Sequence, residues 1–117
     1  MNCLFILRQS PYHGSLAREA LDMALAFAAF DENVQLLFLD DGIFQLLKDQ
    51  DSSALVIKNI AKSLAAVEIY DINEIYVAEE CLKRRGLRTD DLSIAAQAVD
   101  TRIIQALIAD ADKVVNL

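Results

Sequence analysis

The sequence predicts an α/β protein: a three-layer α/β/α sandwich built on a five-stranded, mainly parallel sheet. Three observations carry this expectation. Short runs rich in aliphatic and β-branched residues alternate with stretches of helical period along all 117 residues. The first run, Cys3–Leu7, is continuously apolar, as a strand covered on both faces is, rather than alternating. The stretches between runs are long enough to be crossover helices, which join parallel strands with a right-handed connection. Three glycines and one proline leave no composition for a linker or a low-complexity tail, so residues 1–117 read as one domain.

Cys3-Leu4-Phe5-Ile6-Leu7 reads as the first buried strand, and Gln9-Ser10-Pro11-Tyr12-His13-Gly14 as the loop after it. Ser15 is a candidate N-cap for a helix running to about Phe30, with Leu21, Leu25 and Ala28 on one face and Ala17, Ala20 and Ala24 beside them. So many alanines predict close approach to neighbouring elements. Val34–Leu39 is the second strand, turned at its end by Asp40-Asp41-Gly42, and Ile43–Leu47 reads as a short helix or helical turn. After a polar connection from Asp49 to Ser53, Ile57, Ile60, Leu64 and Val67 mark the apolar stripe of the next helix. Glu74–Val77 is the third strand, followed by a short helix from Ala78 to Arg85 that Gly86 stops at its C′ position. Ser93–Val99 is the fourth strand, centred near Ala96. Asp100 or Thr101 caps a last helix expected to turn Ile103, Ile104, Leu107 and Ile108 inward, and Lys113–Leu117 closes the chain as the fifth strand.

Composition narrows the function. The chain is 55% hydrophobic and 25% charged, which offsets the entropy of ordering and excludes a disordered segment. No apolar run approaches the ~18 residues that a bilayer span needs, and the opening Met1–Arg8 lacks a basic start and a cleavage site, so the expected setting is the cytoplasm without a membrane partner. With 11 basic against 18 acidic residues the net charge is −7, and the basic residues cluster only at Lys83-Arg84-Arg85 with Arg88. Direct nucleic-acid binding, which displaces counterions from a basic face, is therefore not expected. Two cysteines and one histidine, without a Cys-x-x-Cys pair, give no basis for a zinc site, and the cysteines are expected as thiols.

In an open parallel sheet, ligands and reactive groups gather beyond the carboxyl ends of the strands. Three segments are expected there: Gln9–Gly14, Asp40–Gly42 and Ala78–Cys81. Cys3, inside a strand, reads as a small buried hydrophobe. Cys81 is the candidate nucleophile, since a helix start favours a thiolate, while Glu79 and Glu80 place opposing charge beside it. His13 has serines nearby but no Gly-x-Ser-x-Gly elbow, so it reads as a loop histidine bonded to backbone or to a partner. Asp40 and Asp41 resemble the acidic pair of phosphotransfer domains, yet Ala78 stands where such domains carry an aspartate, and the pair is expected to cap the following turn. Gly14 stands alone after the first strand, which supports neither a nucleotide loop nor any other cofactor site.

Taken in order, Ser10-Pro11-Tyr12-His13-Gly14, Ala17–Asp22, Leu37–Leu47, Tyr70-Asp71-Ile72, Arg85-Gly86-Leu87 and Ala111–Val115 resemble the DsrE/DsrF family, in particular its TusC/DsrF branch. Asp41-Gly42-Ile43-Phe44-Gln45-Leu46-Leu47 is the most specific piece. The resemblance implies a DsrEFH-like fold and a subunit of a sulfur-relay complex of the TusBCD kind, a heterohexamer with TusB-like and TusD-like subunits. Such a complex passes persulfide sulfur from TusA to TusE for 2-thiolation of the tRNA wobble uridine. In the family the sulfur-carrying cysteine belongs to the TusD-like subunit, eight residues before the glycine of an Arg-Gly pair. Here that glycine is Gly86 and the matching residue is Ala78. The resemblance thus implies a non-catalytic subunit without cofactor or metal. Two alternatives remain within sulfur chemistry, a DsrF-like subunit of a sulfur-oxidation system and a stand-alone thiol sulfurtransferase using Cys81. A small-ligand-binding α/β domain is a third, carried by the fold alone.

Overall fold

In the computed structural model, residues 1–11, 16–30, 32–48 and 55–117 are described, residues 55–61 in their backbone only. Strand β1 (Asn2–Leu7) is followed by helix α1 (Leu16–Ala29), β2 (Asn33–Phe38), a 3₁₀ segment (Asp40–Leu46) and helix α2 (Leu55–Ile69). Then come β3 (Glu74–Ala78), α3 (Glu79–Arg84), a 3₁₀ turn (Thr89–Asp91), β4 (Gln97–Val99), α4 (Thr101–Asp110) and β5 (Lys113–Asn116).

The five strands lie in the order β4-β3-β2-β1-β5, and every pairing between them is parallel. From β1 the chain steps to β2, β3 and β4 in one direction, then crosses back over the sheet to place β5 on the far side of β1. A right-handed crossover applied in opposite directions puts its helices on opposite faces. Accordingly α1 and α2 cover one face and α4 the other. The first face buries Cys3, Phe5, Leu7, Val34, Leu36, Phe38 and Val77 with Ala17, Ala20, Leu21 and Ala24 of α1 and Leu64 and Val67 of α2. The Phe5 and Phe27 rings meet edge to face at 5.3 Å. The second face buries Leu4, Ile6, Leu37 and Val99, against which Ile104, Leu107 and Ala111 rest half-buried. The continuous apolar run Cys3–Leu7 of β1 is what such two-sided burial demands, while β2 interrupts its own run with the half-buried Gln35.

Several local expectations are corrected. Residues 93–96 are not strand: Ser93 N–H donates to Leu46 O (2.6 Å) and Leu92 bridges Leu47 in antiparallel fashion. That backbone is committed to the end of the 3₁₀ segment, so β4 shortens to three residues centred on Ala98. Asp40 and Asp41 lie in the first turn of the 3₁₀ segment, whose N-cap is Leu39 without a side-chain cap bond. Asp100, not Thr101, caps α4 and accepts the Ile103 N–H at 3.0 Å. On α4 only part of the expected stripe turns inward: Ile103 and Ile108 stay 39% and 42% exposed. One ten-residue helix cannot bury both flanks of its stripe against a sheet that rises only to meet Ile104 and Leu107. The candidate cap Ser15, His13 and the Asp49–Ser53 connection lie outside the described residues.

Gly86 fulfils its expected role, holding φ +65 just after α3, where Leu87 N–H returns to Leu82 O at 2.9 Å. Gly42 serves a different purpose from a turn residue. A Cβ there would stand 2.0 Å from the Leu7 carbonyl oxygen, so only glycine lets the 3₁₀ segment press against the end of β1.

Candidate functional site

The segments expected at the carboxyl edge of the sheet gather there. Leu39 N–H donates to Leu7 O (3.0 Å), and Gln45 Nε2 donates to Gln9 O (2.9 Å), which fastens the 3₁₀ segment to the segment leaving β1. Gln45 is fully enclosed, and its Oε1 accepts no hydrogen bond from the described residues. Ala78 ends β3 and directly precedes α3, so Cys81 lies in the first turn of that helix. The Asp40 N–H donates to Cys81 Sγ at 3.4 Å, and the Asp40 carboxylate lies 3.9 Å from the same sulfur. Asp40 reaches this position with φ +49, in the left-handed region that a short polar residue tolerates better than most. Two of the three expected segments therefore meet at Cys81, and the third is tied in through Gln9. His13 lies outside the described residues.

A second tie fixes α3 to the 3₁₀ segment. Arg85 Nη2 donates to Asp41 Oδ1 (2.9 Å), Arg85 Nη1 donates to Cys81 O (3.2 Å), and the guanidinium sits 5.7 Å from the Phe44 ring centroid. Asp41 is thereby a partner of Arg85 rather than a cap or a member of a phosphotransfer pair. The other basic residues of this stretch are engaged as well: Lys83 pairs with Glu79 (3.1 Å) and Arg84 with Glu80 (2.6 Å), one helical turn apart. These exposed pairs add little stability. They do neutralise most of the cluster that could otherwise have met phosphates.

Between α3 and α4 the edge opens into a cleft of about 370 Å³. Its floor is apolar, with Leu39, Ala78, Val99 and Ile104, and its rim carries Glu79, Cys81 and Asp100. Ala78 is 4% exposed, a methyl group at the root of the cleft, and the half-buried Cys81 thiol stands on the rim. Cys3 is fully buried on the α1 side of the sheet, and burial foremost, then the Glu32 charge, pushes its thiol pKa up. Both the burial and the neighbouring charge favour its protonated form.

Sequence reasoning located the edge, Cys81 and Ala78, but missed the Arg85–Asp41–Phe44 clamp and the contact of the Asp40 amide with the thiol. Partners 41 to 44 positions apart leave no periodic trace. The only available signal was one arginine beyond those needed for the two i,i+4 pairs of α3.

The model of the DsrE/DsrF-like family matches residues 1–117. The chain is 41% identical over 114 residues to a protein named TusC homolog from Pseudomonas aeruginosa PAO1, covering 97% of this chain and 96% of that one. It is 39% identical over 99 residues to the intracellular sulfur oxidation protein DsrF of Allochromatium vinosum, covering 84% and 73% of the two chains. Among solved structures, the ychN protein of E. coli superposes with a TM-score of 0.86 over 100% of this chain and 99% of that one. At 18% identity that likeness speaks for the fold, including its all-parallel sheet between helical layers.

Proposed function

The chain belongs to the DsrE/DsrF-like family, and from that premise we propose that it is a non-catalytic subunit of a heteromeric sulfur-relay complex. It assembles with TusB-like and TusD-like subunits into a cytoplasmic heterohexamer. That assembly passes persulfide sulfur from TusA to TusE for 2-thiolation of the tRNA wobble uridine, and this chain contributes architecture rather than a sulfur-carrying thiol.

One observation carries the reading. The residue that the family resemblance sets at the sulfur-carrier position, Ala78, is a buried methyl at the root of the cleft. Persulfide relay needs a thiolate that attacks the outer sulfur of a donor persulfide while the donor's own thiolate leaves, a step balanced without external oxidant. A methyl group can do none of this. Cys81 lies three residues further on, inside α3 rather than at its threshold, with its sulfur turned to the Asp40 amide. Neighbouring positive charge that would hold an anion there is committed elsewhere, to Glu79, Glu80 and Asp41.

The experiment is sulfur loading of the purified chain from a persulfide donor, with and without Cys81→Ser, followed by thiolation in the assembled complex. The expected result is that Cys81→Ser changes transfer by less than about twofold, under ~0.5 kcal/mol on the rate scale, while omission of the whole chain abolishes thiolation. Stoichiometric, transferable sulfur on Cys81 would overturn the reading and make the chain a carrier. A second reading, a DsrF-like subunit of a sulfur-oxidation system, draws on the likeness to the Allochromatium vinosum protein. Genes for dissimilatory sulfite reductase beside this one would favour it.

A further inference from the structure

We propose that the amino edge of the sheet, opposite the cleft, is a protein-docking surface whose partner presents an apolar centre ringed by lysine and arginine. The proposal rests on the reading of the chain as a subunit and adds where, and against what chemistry, a partner binds.

Helices α1 and α2 pack side by side and both end at this edge. The strands that follow them start next to each other, with Asn33 Nδ2 3.4 Å from Glu74 Oε1, and Asn33 N–H donates to Met1 O at 3.1 Å. Phe30 directly follows α1 and Ile69 ends α2, at 82% and 78% exposure, and Met1 is next at 64%. Among the described residues these are the three most exposed large hydrophobic side chains, and they share one edge; Tyr70 extends the patch. Isolated exposed hydrophobics are ordinary, whereas a group of them on one edge is the mark of a contact surface.

The charges around this patch say what covers it. Glu32, Glu68 and Asp71 border it, and the sequence has no lysine or arginine from 19 to 47 or from 63 to 82. Two cations among the described residues of this edge are already engaged: the Met1 amino group lies 3.6 Å from Glu32, and Lys113 Nζ sits 5.2 Å from the Phe27 ring centroid. A second copy of the chain docked here would set carboxylates against carboxylates, a costly juxtaposition. A basic-rimmed partner protein is the complement. The exposed flanks of α4 lack such a one-sign border, with Arg102 and Asp110 both on that helix.

The test uses the chain with its two proposed partner subunits, one TusB-like and one TusD-like, and reads the dissociation constant of each pair. The double substitution Phe30→Ser with Ile69→Ser should weaken one pair at least about tenfold, as loss of central apolar anchors does. Glu68→Lys with Asp71→Lys should weaken the same pair, and raising salt from about 0.05 to 0.5 M should weaken the unmodified pair several-fold. Ile103→Ser with Ile108→Ser should leave that pair within about threefold, and circular dichroism should show all variants folded. A tight complex indifferent to the edge substitutions would overturn this surface alone. So would a complex broken through α4, or a homodimer held through Phe30 and Ile69. If the unmodified chain binds neither subunit, the subunit reading falls and this proposal with it.

Discussion

Under α1 and α2 the sheet buries Cys3, Phe5, Leu7, Val34, Leu36 and Phe38 against two helices, and Leu21 of α1 is wholly enclosed. Under α4 it buries Leu4, Ile6, Leu37 and Val99 against one helix that has no fully buried residue. Beside α4 the same face turns polar, where Asn33 donates to Asn2 (2.9 Å) and Gln35 and Tyr76 donate to Glu74 (2.5 and 3.4 Å). The two faces share strands, so the difference comes from what each helix layer can cover. Buried apolar packing is concentrated on the first face. The second holds the cleft and the thinner layer.

The sharpest test compares equivalent truncations. Leu21→Ala should cost about 2–5 kcal/mol, the range for emptying an enclosed core site, while Leu107→Ala on half-buried α4 should cost under ~1.5 kcal/mol. Urea denaturation midpoints read both, and equal costs would erase the contrast. Gly42→Ala should follow at about 1–3 kcal/mol, because its new methyl meets the Leu7 carbonyl at 2.0 Å. Asp100→Ala removes the cap of α4 and should cost about 1 kcal/mol. Ile108→Ser, on the exposed flank, should stay within about 0.5 kcal/mol.

The cysteines give the smallest effect and the cleanest readout. In the native protein a thiol reagent should modify Cys81 and spare Cys3, which reacts only on unfolding; prompt modification of both would show the first face to be open. The Cys3 pKa is raised in the fold above its ordinary 9.0 by burial first and the Glu32 charge next. Its contribution to stability is therefore complete below pH 9.0 and is lost as pH climbs toward the folded value. Cys3→Ala should flatten that alkaline decline.

Much of this could be read from the chain. A continuous apolar run located β1 and a largely apolar one β2, Gly86 located the end of α3, and Asp100 was one of two residues named as the cap of α4. Each is a local signal, set by side chains within a few positions. Where the readings failed, a distant partner had intervened. The Leu46 carbonyl took the Ser93 amide and shortened β4, and Arg85 drew Asp41 away from a capping role.

The sequence by itself determined the layer order, the family resemblance and the absence of a cysteine at position 78, because periodicity, motif order and residue identity are properties of the chain. Only the tertiary structure decided that Ala78 floors a cleft with Cys81 on its rim, that Gly42 is required by the approach of Leu7, and that Met1, Phe30 and Ile69 crowd one acidic edge. These are matters of which segments meet. The crossover from β4 back to β5 sends one helix alone to the second face, while α1 and α2 end at the amino edge of the first.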